Sequence, residues 1–211
     1  MPNLYPAFER QEVVVHTPRH VTSLADLSDD ELSLVAAAWR ARAVAAREEG
    51  FQYVHAVVNE GREAGASLAH THSQLVWLRE TPPAVRGERK QECAVCDLLA
   101  DEKLALEPGV LVHPAGRAPY ELLIAPAEHD ERGLESPALE TALQALARCF
   151  RRLHALEGRL PLNAWLHAEG HWHLEVVPRL TVFAGIELGA GIYVNPLPPE
   201  EAAQALRRTS P

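Results

Sequence analysis

Two histidines and a glutamine stand in a row in this chain, with one residue between each: His70, His72 and Gln74. They follow Asn59-Glu60-Gly61-Arg62-Glu63-Ala64-Gly65-Ala66-Ser67, and the segment from Leu68 to Leu78 reads as a strand. Side chains on a strand alternate faces with period two. His70, His72 and Gln74 are therefore expected on one face, with Thr71, Ser73 and Leu75 on the other. Two imidazoles and an amide do not make an ordinary core face. They can bind a metal or an anion, or attack a phosphorus atom. The same pattern on its own is also compatible with a polar strand edge, so the rest of the chain has to decide.

Composition narrows the classes. The 211 residues are 47% hydrophobic and 23% charged, which suits one or two globular units with a real core. A formal net charge of -9 argues against a nucleic-acid or acidic-membrane surface. No stretch approaches the ~18 continuous apolar residues of a membrane span, and no secretory signal pattern is visible. Three cysteines, two of them in Cys93-Ala94-Val95-Cys96, do not form a disulfide framework, which points to a reduced, cytoplasmic setting.

An internal repeat gives the organisation. Ser28-Asp29-Asp30-Glu31 is a capping box that opens a helix running to Gly50, with Leu32, Val35, Ala36, Trp39 and Ala43 as its apolar stripe. Ser136-Pro137 opens a second, running to Gly158, with Leu139, Leu143, Leu146, Phe150 and Leu153 as its stripe. An apolar strand ending at histidine precedes each helix: Glu12 to His20, and Glu121 to His129. A further strand follows each, at Tyr53 to Val58 and at Leu162 to Leu166. Each copy then ends in a histidine pair: His70 and His72 in the first, His171 and His173 in the second. The pattern predicts an α+β fold of two units, each an antiparallel sheet with a long helix, joined as a pseudo-dimer. Residues 1–80 form the first unit, 81–92 a turn-rich linker, and 93–211 the second unit with its tail. Only the first copy carries the insertion Gly61 to Ser67. Only the second carries CxxC, whose equivalent in the first would fall before Met1.

CxxC supplies two thiolates to a small chelate. Cys93, Cys96, His129 and one of His171 or His173 would complete a Cys2His2 zinc tetrahedron, and the repeat favours His171. A redox pair or two buried thiols are the alternatives. His20 and His70 are the matching pair in the first copy, half a site without cysteines. Cys149, on the second helix, reads as a buried small residue.

Asn3-Leu4-Tyr5-Pro6-Ala7, the run Asn59 to Gln74, and His173-Leu174-Glu175-Val176-Val177-Pro178-Arg179-Leu180 with Ala184 to Gly191 resemble the galactose-1-phosphate uridylyltransferases of the histidine triad superfamily. The resemblance covers nearly all of the chain. It implies a ping-pong nucleotidyl transfer between a nucleotide sugar and a sugar phosphate in a homodimer. It implies His72 as the nucleophile, with Gln74, Asn59, Gly65 and Ser67 around the phosphates. Asn3 and Tyr5 match the nucleoside pocket, and Glu187 a hexose contact made by the other subunit. His70 matches a first-unit zinc ligand. Cys93, Cys96, His129 and His171 match the second-unit zinc site of some members. The chain departs from the family at Thr71, where a proline is common, and at Glu175, where other members have histidine. The family's first CxxC and its basic residues near the nucleotide would fall before Met1, which implies either a start further upstream or a shortened member with an open first-unit metal site.

The chemistry is coherent without the family. A neutral imidazole can attack an α-phosphorus in line and divide one displacement into two. Gln74, Ser67 and backbone amides near Gly65 can hold charge on the non-bridging oxygens. The leading expectation is a UDP-glucose–hexose-1-phosphate uridylyltransferase. The alternatives are an ADP-sugar or dinucleoside-polyphosphate phosphorylase, a non-catalytic nucleotide-binding relative, and an unrelated zinc-stabilised scaffold.

Overall fold

The fold was obtained as a computed structural model that describes residues 1–87 and 93–209. In chain order its elements are β1 (Arg10–Val15), α1 (Asp29–Glu48), β2 (Tyr53–Glu60), β3 (His72–Leu78), α2 (Pro83–Arg86), α3 (Ala94–Leu99), β4 (Ala105–Glu107), β5 (Val110–Val112), β6 (Leu122–Ile124), α4 (Leu139–Glu157), β7 (Leu162–His167), β8 (His173–Pro178), α5 (Gly185–Ala190) and α6 (Pro199–Arg207). Residues 88–92 of the expected linker lie outside the described residues. Its first part contains the single helical turn α2.

The eight strands form one antiparallel sheet in the order β1-β3-β2-β7-β8-β6-β5-β4. β2 and β7 meet at its middle, with Asn59 opposite Asn163. From that seam outward, β2, β3 and β1 on one side match β7, β8 and β6 on the other. This is the arrangement expected of an α+β protein in which each long helix connects its own set of strands.

The capping box predicted at Ser28 is present: its hydroxyl accepts from the Glu31 amide, and the Glu31 carboxylate accepts from the Ser28 amide. Leu32, Val35, Ala36 and Trp39 are buried, as their helical spacing requires. α4 starts later than the sequence suggests, at Leu139 rather than just after Ser136. The Ser136 hydroxyl donates to Asp130 (2.6 Å) and accepts from the Ala138 amide, so it closes a turn before the helix. Gly50 and Gly158 both end their helices at positive φ.

α1 and α4 lie side by side on one face of the sheet. Leu75 and Trp77 of β3, Ala56 and Val58 of β2, Leu162, Ala164 and Leu166 of β7, and Leu174 and Val176 of β8 point into that layer. Strand alternation sends their neighbours to the opposite face: His72 and Gln74, Asn59, Asn163 and His167, His173 and Glu175. The helices thus take the apolar face, and the chemistry-bearing side chains are collected on the other.

One bond clamps α1 to the histidine-bearing strand. The buried Trp39 indole donates to the Ser73 hydroxyl at 2.8 Å. Replacing Trp39 with Phe keeps most of the packing but leaves that hydroxyl unpaired. We expect a loss of about 1–3 kcal/mol in denaturant unfolding with an unchanged slope.

Candidate active site and metal centre

A cleft of about 910 Å³ opens where the end of β2, the Gly61 to Ser67 loop, the turn before β3 and the residues entering β7 converge. The loop is set by two glycines. Gly61 (φ +84°) and Gly65 (φ +88°) flank one 3-10 turn over Arg62–Ala64, and the Gly61 carbonyl accepts from the amides of Ala64 and Ala66. A Cβ on Gly61 would also meet Pro161 at 3.0 Å. The backbone conformation itself favours glycine at both positions.

β3 begins at His72, so the sequence expectation of a strand from Leu68 is corrected. His70 lies in the bend before the strand, and the shared face starts at His72 and Gln74. That bend has a consequence for His72. Its Nδ1 lies 2.8 Å from the His70 carbonyl oxygen. A carbonyl can only accept, so Nδ1 carries the proton and Nε2 keeps its lone pair. His72 is buried to 4% exposure and lines the cleft. The second histidine pair repeats this geometry: β8 begins at His173, whose Nδ1 lies 3.1 Å from the His171 carbonyl.

Beside His72, the buried His16 bonds through Nδ1 to the Thr71 hydroxyl at 2.9 Å. Burial, aided by His72 and His70, pushes His16 down to about 3, so it is neutral near pH 7. Thr71, at the position where the family commonly has proline, thus holds an imidazole from the β1 side. Gln74 accepts from Gln11 of β1 at 2.6 Å, which leaves its own amide group as a donor.

Asn59 and Ser67 line the cleft. Asn59 accepts at 2.8 Å from Asn163, whose own oxygen accepts from Arg179 at 3.3 Å. A Cβ on Gly65 would lie 4.0 Å from Asn59 Nδ2, which places Gly65 beside that amide. Asn3 and Tyr5 are not brought to the cleft. The first residues pair along β1, Asn3 bonds to Tyr5 and Gln11, and Tyr5 is 90% exposed. Glu187 is also outside it, capping the Ala184 amide of α5 at 2.9 Å.

Three cations at this cleft received no role from the sequence: Arg62, Arg159 and Arg179. Arg62 lies inside the recognised loop. Arg179 comes from the end of β8 and is held there by its amide bond to Pro161 (2.9 Å), a placement that depends on the β7–β8 register. Arg159 is tied to Asp26 at 2.7 Å. Asn163 also required the register, because only the pairing of β2 with β7 sets it against Asn59.

Glu60 sits at the edge of the same cleft, 3.6 Å from His154. Burial raises its carboxyl from the ordinary 4.5 to about 6, against bonds from Ser23 and the Leu24 amide. A raised carboxyl stabilises the fold most below the unfolded value, and that stability is lost as pH rises through 6. Glu60→Gln is therefore expected to be more stable than the parent at pH 7 by at most ~2 kcal/mol. The gain should vanish near pH 4. Thermal unfolding of both proteins across this range checks it.

The predicted metal ligands do converge. The donor atoms of Cys93, Cys96, His129 and His171 all lie within 4.8 Å of one another. His171 Nδ1 is 3.3 Å from Cys96 Sγ and 3.6 Å from Cys93 Sγ, and His129 Nδ1 is 3.5 Å from Cys96 Sγ. His171 Nε2 bonds to the Pro126 carbonyl at 2.9 Å, which turns Nδ1 toward the thiols. This donor set and its supporting bond fit a four-coordinate metal site. Of the two candidates His171 and His173, the first is the one that joins. His20 and His70 have ring centroids 5.9 Å apart. Cys149 is buried, and burial pushes its thiol up to about 12.

Comparison with known proteins accounts for this arrangement. Residues 6–83 match the family described as galactose-1-phosphate uridyl transferase, N-terminal domain. A galactose-1-phosphate uridylyltransferase of Thermotoga maritima is 28% identical over 94% of this chain and 73% of its own length. The chain is thus similar to the galactose-1-phosphate uridylyltransferases, most directly over residues 6–83. It is also similar to an ADP-glucose phosphorylase of Arabidopsis thaliana, 27% identical over 96% of this chain. The chain spans about 65% of that relative's length. A crystal structure of an Arabidopsis ADP-glucose phosphorylase with bound ADP-glucose covers 100% of this chain and 81% of its own, with a TM-score of 0.89 at 24% identity. That likeness is one of fold. A solved uridylyltransferase gives 0.86 at 26% identity over 98% of this chain and 78% of its own.

Proposed function

We propose that the protein is a nucleotidyltransferase that moves a nucleoside monophosphate from a nucleotide sugar to a hexose 1-phosphate through a covalent nucleotidyl-His72. The observation that carries this reading is the bond from His72 Nδ1 to the His70 carbonyl beside an open cleft. It supplies a neutral imidazole with its Nε2 lone pair available for attack.

In the first half-reaction Nε2 attacks the α-phosphorus, a P–N bond forms, and the P–O bond to the sugar phosphate breaks. The imidazole ring gains positive charge as it does so. The His70 carbonyl, already accepting from Nδ1, stabilises that charge. In the second half-reaction an oxygen of the acceptor phosphate displaces His72 from phosphorus, and the ring returns to neutral. In this reading Ser67, Asn59, Gln74 and the amides near Gly65 bind non-bridging oxygens, and Arg62 and Arg179 offset phosphate charge. Asn3, Tyr5 and, from a second copy, Glu187 complete the substrate pocket in this reading. Val182 (87% exposed) and Leu188 (76% exposed) near Glu187 support a homodimer, since both are apolar side chains left in water.

Cys93, Cys96, His129 and His171 hold Zn(2+), which fastens α3 to the ends of β6 and β8. Bound there, the metal would act structurally, since Cys93, Cys96, His129 and His171 would supply all four donors. The two halves of the sheet, 1–80 and 93–211, are two histidine-triad-like units. Three thiols without a disulfide fit a cytoplasmic protein.

The likeness to ADP-glucose phosphorylase favours a second reading, in which ADP-sugar is the donor and inorganic phosphate the acceptor. Turnover assays with UDP-glucose plus galactose 1-phosphate and with ADP-glucose plus phosphate separate the two. Activity in neither would overturn both.

A further inference from the structure

A second cluster of metal-binding side chains lies on the helix-free face, on the far side of the β2–β7 seam from His72. His167 ends β7 and His173 begins β8, and the two are register partners with ring centroids 5.1 Å apart. Glu175 lies two residues further along β8. Its Oε1 is 3.7 Å from His167 Nδ1 and 3.7 Å from His173 Nε2. All three residues are buried, and their donor atoms lie within 4.8 Å of one another.

We propose that His167, His173 and Glu175 bind a divalent first-row transition cation through two imidazole nitrogens and one carboxylate oxygen. The spacing is the first reason. Each imidazole brings a ring nitrogen to 3.7 Å from the same carboxylate oxygen. An ion with bonds of about 2.1 Å can bridge donors up to about 4.2 Å apart. The tautomer is the second. His173 Nδ1 is 3.1 Å from the His171 carbonyl, so the Nε2 lone pair faces the cluster. An outward bond of this kind is how ligating histidines are normally oriented.

Charge is the third reason. Arg117 bonds to Oε2 of Glu175, the oxygen remote from the imidazoles. It is shared with Glu121 at 2.5 Å and packs over Trp165, 4.9 Å from the ring centre. One guanidinium between two carboxylates leaves one negative charge, and Oε1 remains turned toward the histidines. Arg117 therefore orients the carboxylate rather than neutralising it. Two histidines and a carboxylate are a donor set used by zinc and by non-haem iron. His173 and Glu175 also line a cleft of about 600 Å³ together with His113. Positions left open by three protein donors would face that cleft and take water or an oxyanion. No donor is shared with the Cys93, Cys96, His129 and His171 group.

Metal counting with cobalt tests this. Intact protein is equilibrated with excess Co(II), freed of unbound metal, and measured for cobalt plus zinc per chain. The thiolate-to-cobalt absorption band reports the cysteine site alone. The proposal expects two metals per chain in the parent protein. It expects one in Glu175→Gln and one in His167→Gln, each with the thiolate band unchanged. One metal per chain in the parent would overturn it and leave a metal-free His–Glu–His network. Two metals retained in both variants would overturn it equally, by placing the extra ion elsewhere. Should a variant lose the thiolate band it is misfolded, and the parent count together with the other variant decides.

Discussion

Replacing His72 with asparagine is expected to lower turnover by on the order of 10⁴–10⁶-fold, the scale seen when an enzyme's nucleophile is removed. Asparagine retains an amide donor for the His70 carbonyl but has no nitrogen lone pair able to attack phosphorus. The fold should survive, because Ser73, Leu75 and Trp77 on the opposite face of β3 are untouched and carry the packing against α1 and α4. Far-UV dichroism and the melting temperature should therefore stay close to the parent's while steady-state transfer disappears. Nucleotide-sugar binding should persist, since Asn59, Ser67 and the glycine loop remain. Transfer within tenfold of the parent would remove His72 from the chemistry.

The second large effect is on stability. Replacing Cys93 or Cys96 with serine deletes one thiolate of the four-donor group. Structural zinc in small domains contributes an apparent ~10–16 kcal/mol of binding free energy. Loss of even a third of that is about 3–5 kcal/mol, or roughly 6–20 °C in melting temperature for a chain of this size. The effect should be local in origin. α3 is one and a half turns long, has no fully buried residue of its own, and packs Val95, Leu98 and Leu99 on a small cluster of Leu104, Leu111, Leu123 and Ala125. Without the metal little else holds it. Thermal unfolding and zinc content of the two variants, compared with the parent, check this. The turnover of the remaining folded fraction should fall far less than in the His72 variant, because none of Cys93, Cys96, His129 and His171 lines the His72 cleft. A variant with no zinc and an unchanged melting temperature would show that the group carries no structural metal.

Much of this was legible in the sequence because it is written in local patterns. The capping box at Ser28, the stripe from Leu32 to Trp39 and the glycine at the end of each helix depend on neighbours within a few positions. The convergence of Cys93, Cys96, His129 and His171 could be read from CxxC together with the repeat, which aligned His171 with His70. The register was less visible. Only the pairing of β2 with β7 sets Asn163 against Asn59, and only the end of β8 against Pro161 delivers Arg179 to the cleft. The strand limits were also misplaced: β1 ends at Val15 and β6 at Ile124, each five residues before the histidine expected to close it, and β3 starts four residues late. The bend at His70 satisfies His72 Nδ1 with a backbone carbonyl, an arrangement that alternation alone would not suggest. Asn3, Tyr5 and Glu187 were named from family likeness and stand apart from the cleft in a single chain.

The central claim is the covalent intermediate on His72, and intact mass tests it most directly. The purified protein is incubated separately with UDP-glucose and ADP-glucose, with no acceptor present, and its mass is taken under mildly alkaline conditions that spare a phosphorus–nitrogen bond. The account predicts a gain of one nucleoside monophosphate residue with one of the donors, absent from His72→Asn and discharged by the matching acceptor. A parent protein that turns the donor over yet never gains mass, or a gain that persists in the His72 variant, would contradict it.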